Sequence, residues 1–83
     1  MKVVLHAHAI SRLAERGATE SEVIDTVLRG EKFPAKFNRT GFRLNFPFDS
    51  IWMGQKYNIK QVEAFAVQED NFWLVITIIV KYF

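Results

Sequence analysis

The chain has 83 residues and no cysteine, an absence that removes several kinds of chemistry. A disulfide framework, a thiolate metal site and a cysteine nucleophile are all excluded. Because disulfides are typical of oxidising compartments, a chain without them is compatible with a reducing one, and we expect a cytoplasmic protein.

Long apolar runs are also lacking. Residues 1–5 are too few for the apolar part of a signal peptide, and His6 follows them at once. The most apolar stretch, residues 72–80, has about half the length that a membrane-spanning helix needs. We therefore expect no membrane contact and interpret this stretch as a buried strand.

Apolar and aromatic residues are plentiful. Hydrophobic residues make up 49% of the chain and eight residues are phenylalanine, a composition far from that of disordered chains. The length suffices for one core, so residues 1–83 are expected to form a single domain. A core of this size is marginal, and a homodimer or another partner would add stability.

Two short helices are predicted in residues 1–30. The first ends at Arg16, where Gly17 suits the left-handed residue that commonly follows a helix. Thr19 and Glu22 then have the spacing of a capping box, which marks the start of the second helix. Together the two segments are expected to form a helical hairpin.

Residues 31–83 alternate apolar and polar side chains, as antiparallel strands do. Strands are predicted at residues 32–37, 42–46, 59–68 and 72–82. Residues 47–58 are interpreted as a connection that packs down or adds a short strand, and residues 1–5 as either a short strand or an extended lead-in. The expected fold is α+β, with two N-terminal helices packed on one face of a three- to four-stranded antiparallel sheet.

The most informative pattern is a stripe of polar residues on the first helix. His8, Arg12 and Arg16 are four residues apart, so they project from one side of the helix at successive turns. An imidazole beside two guanidinium groups suits a phosphate group. The stripe therefore points to RNA.

Within this stripe, His8 is the strongest candidate for a general base or acid, because imidazole titrates near neutral pH. Arg12 is the better candidate for binding a scissile phosphate, and Arg16 the better one for a structural salt bridge. The alternative is that the His8 ring is hydrogen-bonded to backbone and that both arginines pair with acidic neighbours.

A second basic region lies in residues 29–43, where five Lys or Arg residues stand against a single acid, Glu31. Three phenylalanines are interleaved with these charges. Candidates for contacts with an RNA backbone, here and further along the chain, are Lys36, Arg39, Arg43, Lys60 and Lys81. A solvated hairpin surface is an equally good interpretation of the region.

Two further features bear on the chemistry. Thr77 interrupts an apolar strand, and its hydroxyl points either toward the first helix or to a hydrogen-bond partner in the sheet. His6 and His8 have the spacing of a metal-binding pair, but no further histidine or cysteine completes a site. We therefore expect neither a metal nor a cofactor.

Several of these residues occur in a pattern that resembles a known family. In chain order they are His8-Ala9, Arg12, Arg16-Gly17, Thr19, Glu22-Val23, Gly30-Glu31 and Val75-Ile76-Thr77. They are similar to a small bacterial family of domains of unknown function, which looks like part of the RelE/BrnT-like superfamily of toxin ribonucleases. The resemblance covers nearly the whole chain and implies two helices with an antiparallel sheet.

The resemblance also implies an activity and a partner. The activity is that of a metal-independent endoribonuclease of the toxin–antitoxin type, which cleaves RNA by 2′-hydroxyl attack, and the partner is an antitoxin protein. The site residues it implies are His8, Arg12, Arg16 and Thr77. The alternative is a non-catalytic module of the same fold that binds RNA or a protein, because His8 is the single strong acid–base candidate.

Overall fold

A computed structural model describes all residues 1–83, which form two helices and five strands. In chain order the elements are β1 (Lys2–Leu5), α1 (Ala7–Arg16), α2 (Glu20–Arg29), β2 (Glu31–Pro34), β3 (Thr40–Trp52), β4 (Gln55–Gln68) and β5 (Phe72–Tyr82). The expected α+β class and the two N-terminal helices are therefore present. Neither helix has the length and apolar composition that crossing a bilayer requires.

Both helices are delimited as their sequences predict. At the start of α1, the His6 Nδ1 atom accepts a hydrogen bond from the His8 backbone N–H at 3.1 Å, and α1 ends at Gly17 with a left-handed φ of 75°. The capping box of α2 is complete. The Thr19 hydroxyl accepts from the Glu22 N–H, and the Glu22 carboxylate accepts from the Thr19 N–H.

The sheet is mixed. Its strand order is β1-β5-β4-β3-β2, with β1 parallel to β5 and every other neighbouring pair antiparallel. The prediction of a three- to four-stranded antiparallel sheet is therefore wrong in strand number and in strand direction. The reason is that residues 2–5 are too few to be identified alone, and their partner, residues 72–75, lies at the other end of the chain.

The chain after α2 also departs from the predicted alternation. Phe37 and Asn38 do not continue β2 but form a turn in which both residues have a left-handed φ, 61° and 60°. Residues 47–58 are a long hairpin arm made by β3 and β4, not a connection. The arm reverses at Met53 and Gly54, where two consecutive positive φ values are the geometry of a type I′ turn.

The helices pack on one face of the sheet, and the core lies between them and the three longest strands. Its fully buried apolar residues are Ala9, Val23, Val62, Ala64, Ala66, Val75 and Ile78. Small residues at the centre of β4 let the helices approach closely. This packing orients the alternate side chains of the strands away from the helices.

Those alternate side chains form what we call the open face of the sheet. The strand register places Phe65 opposite Thr77, and Glu63 opposite both Arg43 and Ile79. A bulge in the β4–β5 pairing next to Phe65 restores the core-facing orientation further along both strands. The open face therefore carries a mixture of charged and apolar side chains.

The two left-handed glycines provide a matched test of the packing at the end of α1. A Cβ at Gly17 would meet the Trp52 ring at 2.7 Å and the Tyr82 hydroxyl at closer range, whereas a Cβ at Gly54 would meet nothing within 4 Å. We expect Gly54→Ala to cost about 1–2 kcal/mol for the left-handed backbone. Gly17→Ala should cost a further ~1–3 kcal/mol for overpacking.

The measurement is the free energy of unfolding in urea for the two variants and the wild-type protein. Equal losses for Gly17→Ala and Gly54→Ala would contradict the close packing of Trp52 and Tyr82 on the end of α1.

Candidate nucleic-acid interface

A groove of about 450 Å³ crosses the open face between the β2–β3 turn and the outer edge of β5. It brings together four residues that the sequence singles out, and these come from separate parts of the chain. They are Arg16, Lys36, Arg39 and Thr77. Three of the four are cations, so the groove has a strongly positive rim.

Arg16 reaches the groove from the far side of β5. β1 pairs with β5 only as far as Val75, so the outer edge of β5 is open beyond that residue. The Arg16 guanidinium crosses this edge and donates a hydrogen bond to the Ile78 carbonyl oxygen at 3.1 Å. Because a guanidinium has five N–H donors, this contact leaves others for a ligand.

The opposite rim is the β2–β3 turn, which carries Lys36 and Arg39. Two backbone hydrogen bonds close the turn, from the Ala35 N–H to the Arg39 carbonyl at 3.1 Å and from the Arg39 N–H to the Lys36 carbonyl at 3.2 Å. Neither side-chain cation forms a salt bridge. Their charges are therefore not neutralised within the protein.

The floor of the groove is mainly apolar. Phe65 and Ile79 lie there with Thr77, and five of the nine residues that line the groove are hydrophobic. The Phe65 ring packs edge-on against Phe33, with 6.1 Å between ring centroids. Sequence reasoning found Thr77 but not Phe65, because only the strand register places Phe65 opposite Thr77. Ile79 follows Thr77 by two residues and so shares its face, but an apolar strand residue carries no signal of a site.

The other two residues of the helical stripe do not line the groove. Arg12 donates a hydrogen bond to the Glu15 carboxylate at 2.8 Å, and the Arg16 Nε atom lies 3.9 Å from the same carboxylate, so both arginines have the acidic neighbour that the alternative interpretation expected. This hydrogen bond is the main cause that lowers the pKa of Glu15. His8 is exposed near the start of α1, about 12 Å from Arg16 by the helical rise per residue.

Two further predicted contacts, Arg43 and Lys81, lie on the open face but are engaged with acids. The Arg43 Nε atom donates to Glu63 at 2.7 Å and its Nη1 atom to Glu31 at 3.0 Å, and Lys81 lies 3.8 Å from Glu63. The hydrogen bond that Arg43 donates to Glu63 raises the pKa of Arg43, with the two carboxylate charges adding to the effect. These cations do not line the groove, and their charge is largely compensated.

Lys60 does not lie on the surface, as the predicted RNA contact would require. It lies on the helix-facing side and is only 7% exposed. Its ammonium group donates to the Gly17 carbonyl at 2.8 Å and to the Glu22 carboxylate at 3.0 Å, and it lies over the Phe48 ring. Lys60 therefore joins the end of α1 to the start of α2 beneath the hairpin arm.

Comparison with known proteins identifies no relative, so a function can be assigned only from the residues of the groove. The chain matches no family model, no curated protein and no solved structure. The structure contains no cluster of three or more His, Asp or Glu side chains that could hold a metal ion. The chemistry available in the groove is therefore that of its cations, its threonine hydroxyl and its aromatic floor.

The buried position of Lys60 leads to a prediction about stability. Lys60→Met removes one partner of a buried ion pair, so we expect it to reduce the free energy of unfolding by about 2–4 kcal/mol. Lys56→Met is the matched control, because Lys56 is exposed on the hairpin arm and its substitution should change stability by less than ~0.5 kcal/mol. Urea denaturation measures both, and similar small effects would show that Lys60 is not a structural residue.

Proposed function

We propose that the protein binds RNA in the groove of the open face. The observation that carries the proposal is the convergence of Arg16, Lys36 and Arg39 on one groove from two separate segments of the chain. Two of these cations have no acidic partner, and the third, Arg16, donates to a backbone carbonyl and lies 3.9 Å from the Glu15 carboxylate, which Arg12 binds at 2.8 Å. Lys and Arg on both rims of a groove, two of them without an acidic partner, form the electrostatic pattern of a polyanion site.

The arrangement favours a chain of phosphates over a single anion. Arg16 stands on the β5 side of the groove, and Lys36 and Arg39 stand on the β2–β3 side. A nucleic-acid backbone that crosses the groove would meet cations at both rims, and arginine forks suit phosphate oxygens. RNA, in preference to DNA, is supported by the resemblance of the helical pattern to the toxin ribonucleases.

Substitution of the rim cations tests RNA binding. We expect Lys36→Gln and Arg39→Gln each to weaken binding of a single-stranded RNA by about 3- to 10-fold at low salt and to reduce the slope of log affinity against log salt by ~0.7. The assay is fluorescence anisotropy over a range of salt concentrations. Neither residue contributes to the core, so the variants should keep the stability of the wild-type protein.

The control for this experiment is Lys56→Gln, which removes the same charge from the hairpin arm outside the groove. It should leave both the affinity and the salt slope close to those of the wild-type protein. An equal loss for Lys56→Gln would assign binding to overall charge, and the absence of any RNA binding by the wild-type protein would overturn the proposal.

Metal-independent cleavage of the bound RNA is the second candidate function. The observation that favours it is that the helical stripe leads into the groove at Arg16, beside Thr77. In this reaction the 2′-hydroxyl oxygen attacks phosphorus, its proton passes to a base, and the 5′-oxygen leaves with a proton to give a 2′,3′-cyclic phosphate. Arg16 would stabilise the charge of the phosphorane, and His8 is the base that the sequence suggests.

We rank RNA binding ahead of RNA cleavage because the lining of the groove contains no histidine or carboxylate. His8 lies about two helical turns from Arg16. Cleavage therefore requires the RNA to extend along α1 from the groove to His8. The antitoxin protein and the homodimer stay predictions beside this second candidate.

The two histidines near the start of α1 allow a matched test of cleavage. If His8 is the base, His8→Ala should slow cleavage of RNA in EDTA by about 10²–10⁴-fold. His6→Asn, which removes the other imidazole but keeps a side-chain acceptor for the His8 N–H at the start of α1, should leave the rate near that of the wild-type protein. The products should carry 2′,3′-cyclic phosphate ends. Folded wild-type protein that binds RNA and leaves it intact would rule out cleavage and retain the binding proposal.

A further inference from the structure

Phe37 combines two unfavourable features at one position of the groove. Its φ of 61° lies in the left-handed region, which is rare for a bulky side chain. The residue is also 80% exposed, the highest value, with Met53, among the large hydrophobic residues of the chain. An exposed phenyl ring on a strained backbone does not stabilise the fold, so its presence calls for another role.

The Phe37 ring lies at the rim of the groove. Phe37 lines the groove together with Lys36 and Arg39, its neighbours in the β2–β3 turn. The Arg39 guanidinium lies 5.7 Å from the centre of the Phe37 ring. The left-handed turn therefore places an aromatic face at the rim, between two cations that have no acidic partner.

The apolar lining of the groove points to the chemical class of the ligand. A phosphate group alone needs cations and hydrogen-bond donors, and it gains nothing from a hydrophobic floor. Phe65 and the 37%-exposed Ile79 lie at the floor, while Arg16 and the two turn cations supply the charge. A nucleotide unit has both requirements, since its base presents apolar faces and its phosphate is anionic.

We propose that Phe37 is a stacking platform for an unpaired base of single-stranded RNA, whose phosphates are bound by Arg16, Lys36 and Arg39. The proposal rests on the RNA-binding function and specifies its substrate class. In a duplex each base face is covered by its neighbours, so stacking on Phe37 requires a base that is free of the helix. The exposed ring and the flanking cations together select single strands over duplexes.

The test compares oligomers that differ only in their bases. The probes are a labelled 2′-O-methyl RNA of about ten nucleotides, which resists 2′-hydroxyl attack, and an abasic oligomer of the same length and charge. We expect Phe37→Ala to weaken binding of the base-bearing oligomer by about 5- to 100-fold and to leave binding of the abasic oligomer unchanged. A duplex of the same sequence should bind the wild-type protein more weakly than the single strand.

Two further variants separate stacking from a structural effect. Phe83→Ala removes another exposed phenyl ring, 61% exposed at the chain end and outside the groove, and should not change affinity for either oligomer. Phe37→Gly relieves the left-handed backbone, so its melting temperature should equal or exceed that of the wild-type protein while its affinity for the base-bearing oligomer falls. A structural role for Phe37 would lower both quantities.

The outcomes distinguish this inference from the function on which it rests. If Phe37→Ala weakens both oligomers equally, or neither, base stacking is overturned while RNA binding through the cations stands. If the wild-type protein binds neither oligomer, RNA binding itself fails, and the stacking proposal fails with it. Tighter binding of the base-bearing strand that depends on Phe37 supports both.

Discussion

The parallel pairing of β1 with β5 is the constraint on which the groove depends. β1 ends at Leu5, opposite Val75, and the His6 N–H continues the pairing with one more hydrogen bond to the Val75 carbonyl at 2.9 Å. The chain then turns into α1, whose last residue, Arg16, lies beside the part of β5 that β1 leaves unpaired. If β1 were two or three residues longer, it would pair with β5 at Ile78 and exclude the Arg16 side chain. The short strand therefore creates an open edge, and an arginine covers it in the manner of charged residues on edge strands.

The C-terminal end of α1 is also fixed to β5, because the Tyr82 hydroxyl donates to the Arg16 carbonyl at 2.8 Å. Burial is the main cause that raises the pKa of Tyr82, so this hydroxyl remains a donor at neutral pH.

The cations on the two faces of the sheet have different partners, and these partners determine which cations are available to a ligand. On the helix side, Lys60 neutralises Glu22 and the carbonyl end of α1, and it contributes to packing rather than to recognition. On the open face, Glu63 is 4% exposed although no helix covers it, because Arg43 and Lys81 lie against it. A buried carboxylate of this kind needs its cations, since leaving it unpaired is costly. The charge of Arg43 and Lys81 is therefore committed to the fold. What remains for a ligand is the rim of the groove, where the turn between β2 and β3 carries cations without acidic partners.

Local signals in the sequence were sufficient to predict the two helices but not the strand order of the sheet. The glycine after α1 and the capping box before α2 act within one turn of the chain, so their consequences can be predicted from neighbouring residues. The pairing of β1 with β5 joins the two ends of the chain, and no local pattern specifies it. The hairpin arm was missed for a related reason: Asp49 and Gly54 are residue types that typically interrupt strands, whereas both lie within the arm, at left-handed φ values of 44° and 79°. The same limit applies to the groove. The helical period correctly aligned His8, Arg12 and Arg16, but that Arg12 makes the short contact with Glu15 while Arg16 crosses the edge of β5 depends on tertiary packing.

The aromatic floor of the groove depends in turn on a glycine in β3. Gly41 stands between Phe33 on β2 and Phe65 on β4 in the strand register, and a Cβ there would overlap the Phe33 ring. Because the glycine has no side chain, the Phe33 ring lies across it and meets the edge of Phe65. The Arg43 guanidinium then stacks on Phe33, with 4.5 Å to the ring centre, and so links the charged part of the open face to its aromatic part. An aromatic ring lying over a strand glycine is a known way to stabilise a sheet at such a position. Phe65 is thus supported on one side by Phe33 and borders the groove on the other, and the shape of the groove follows from the pairing of β2 with β3.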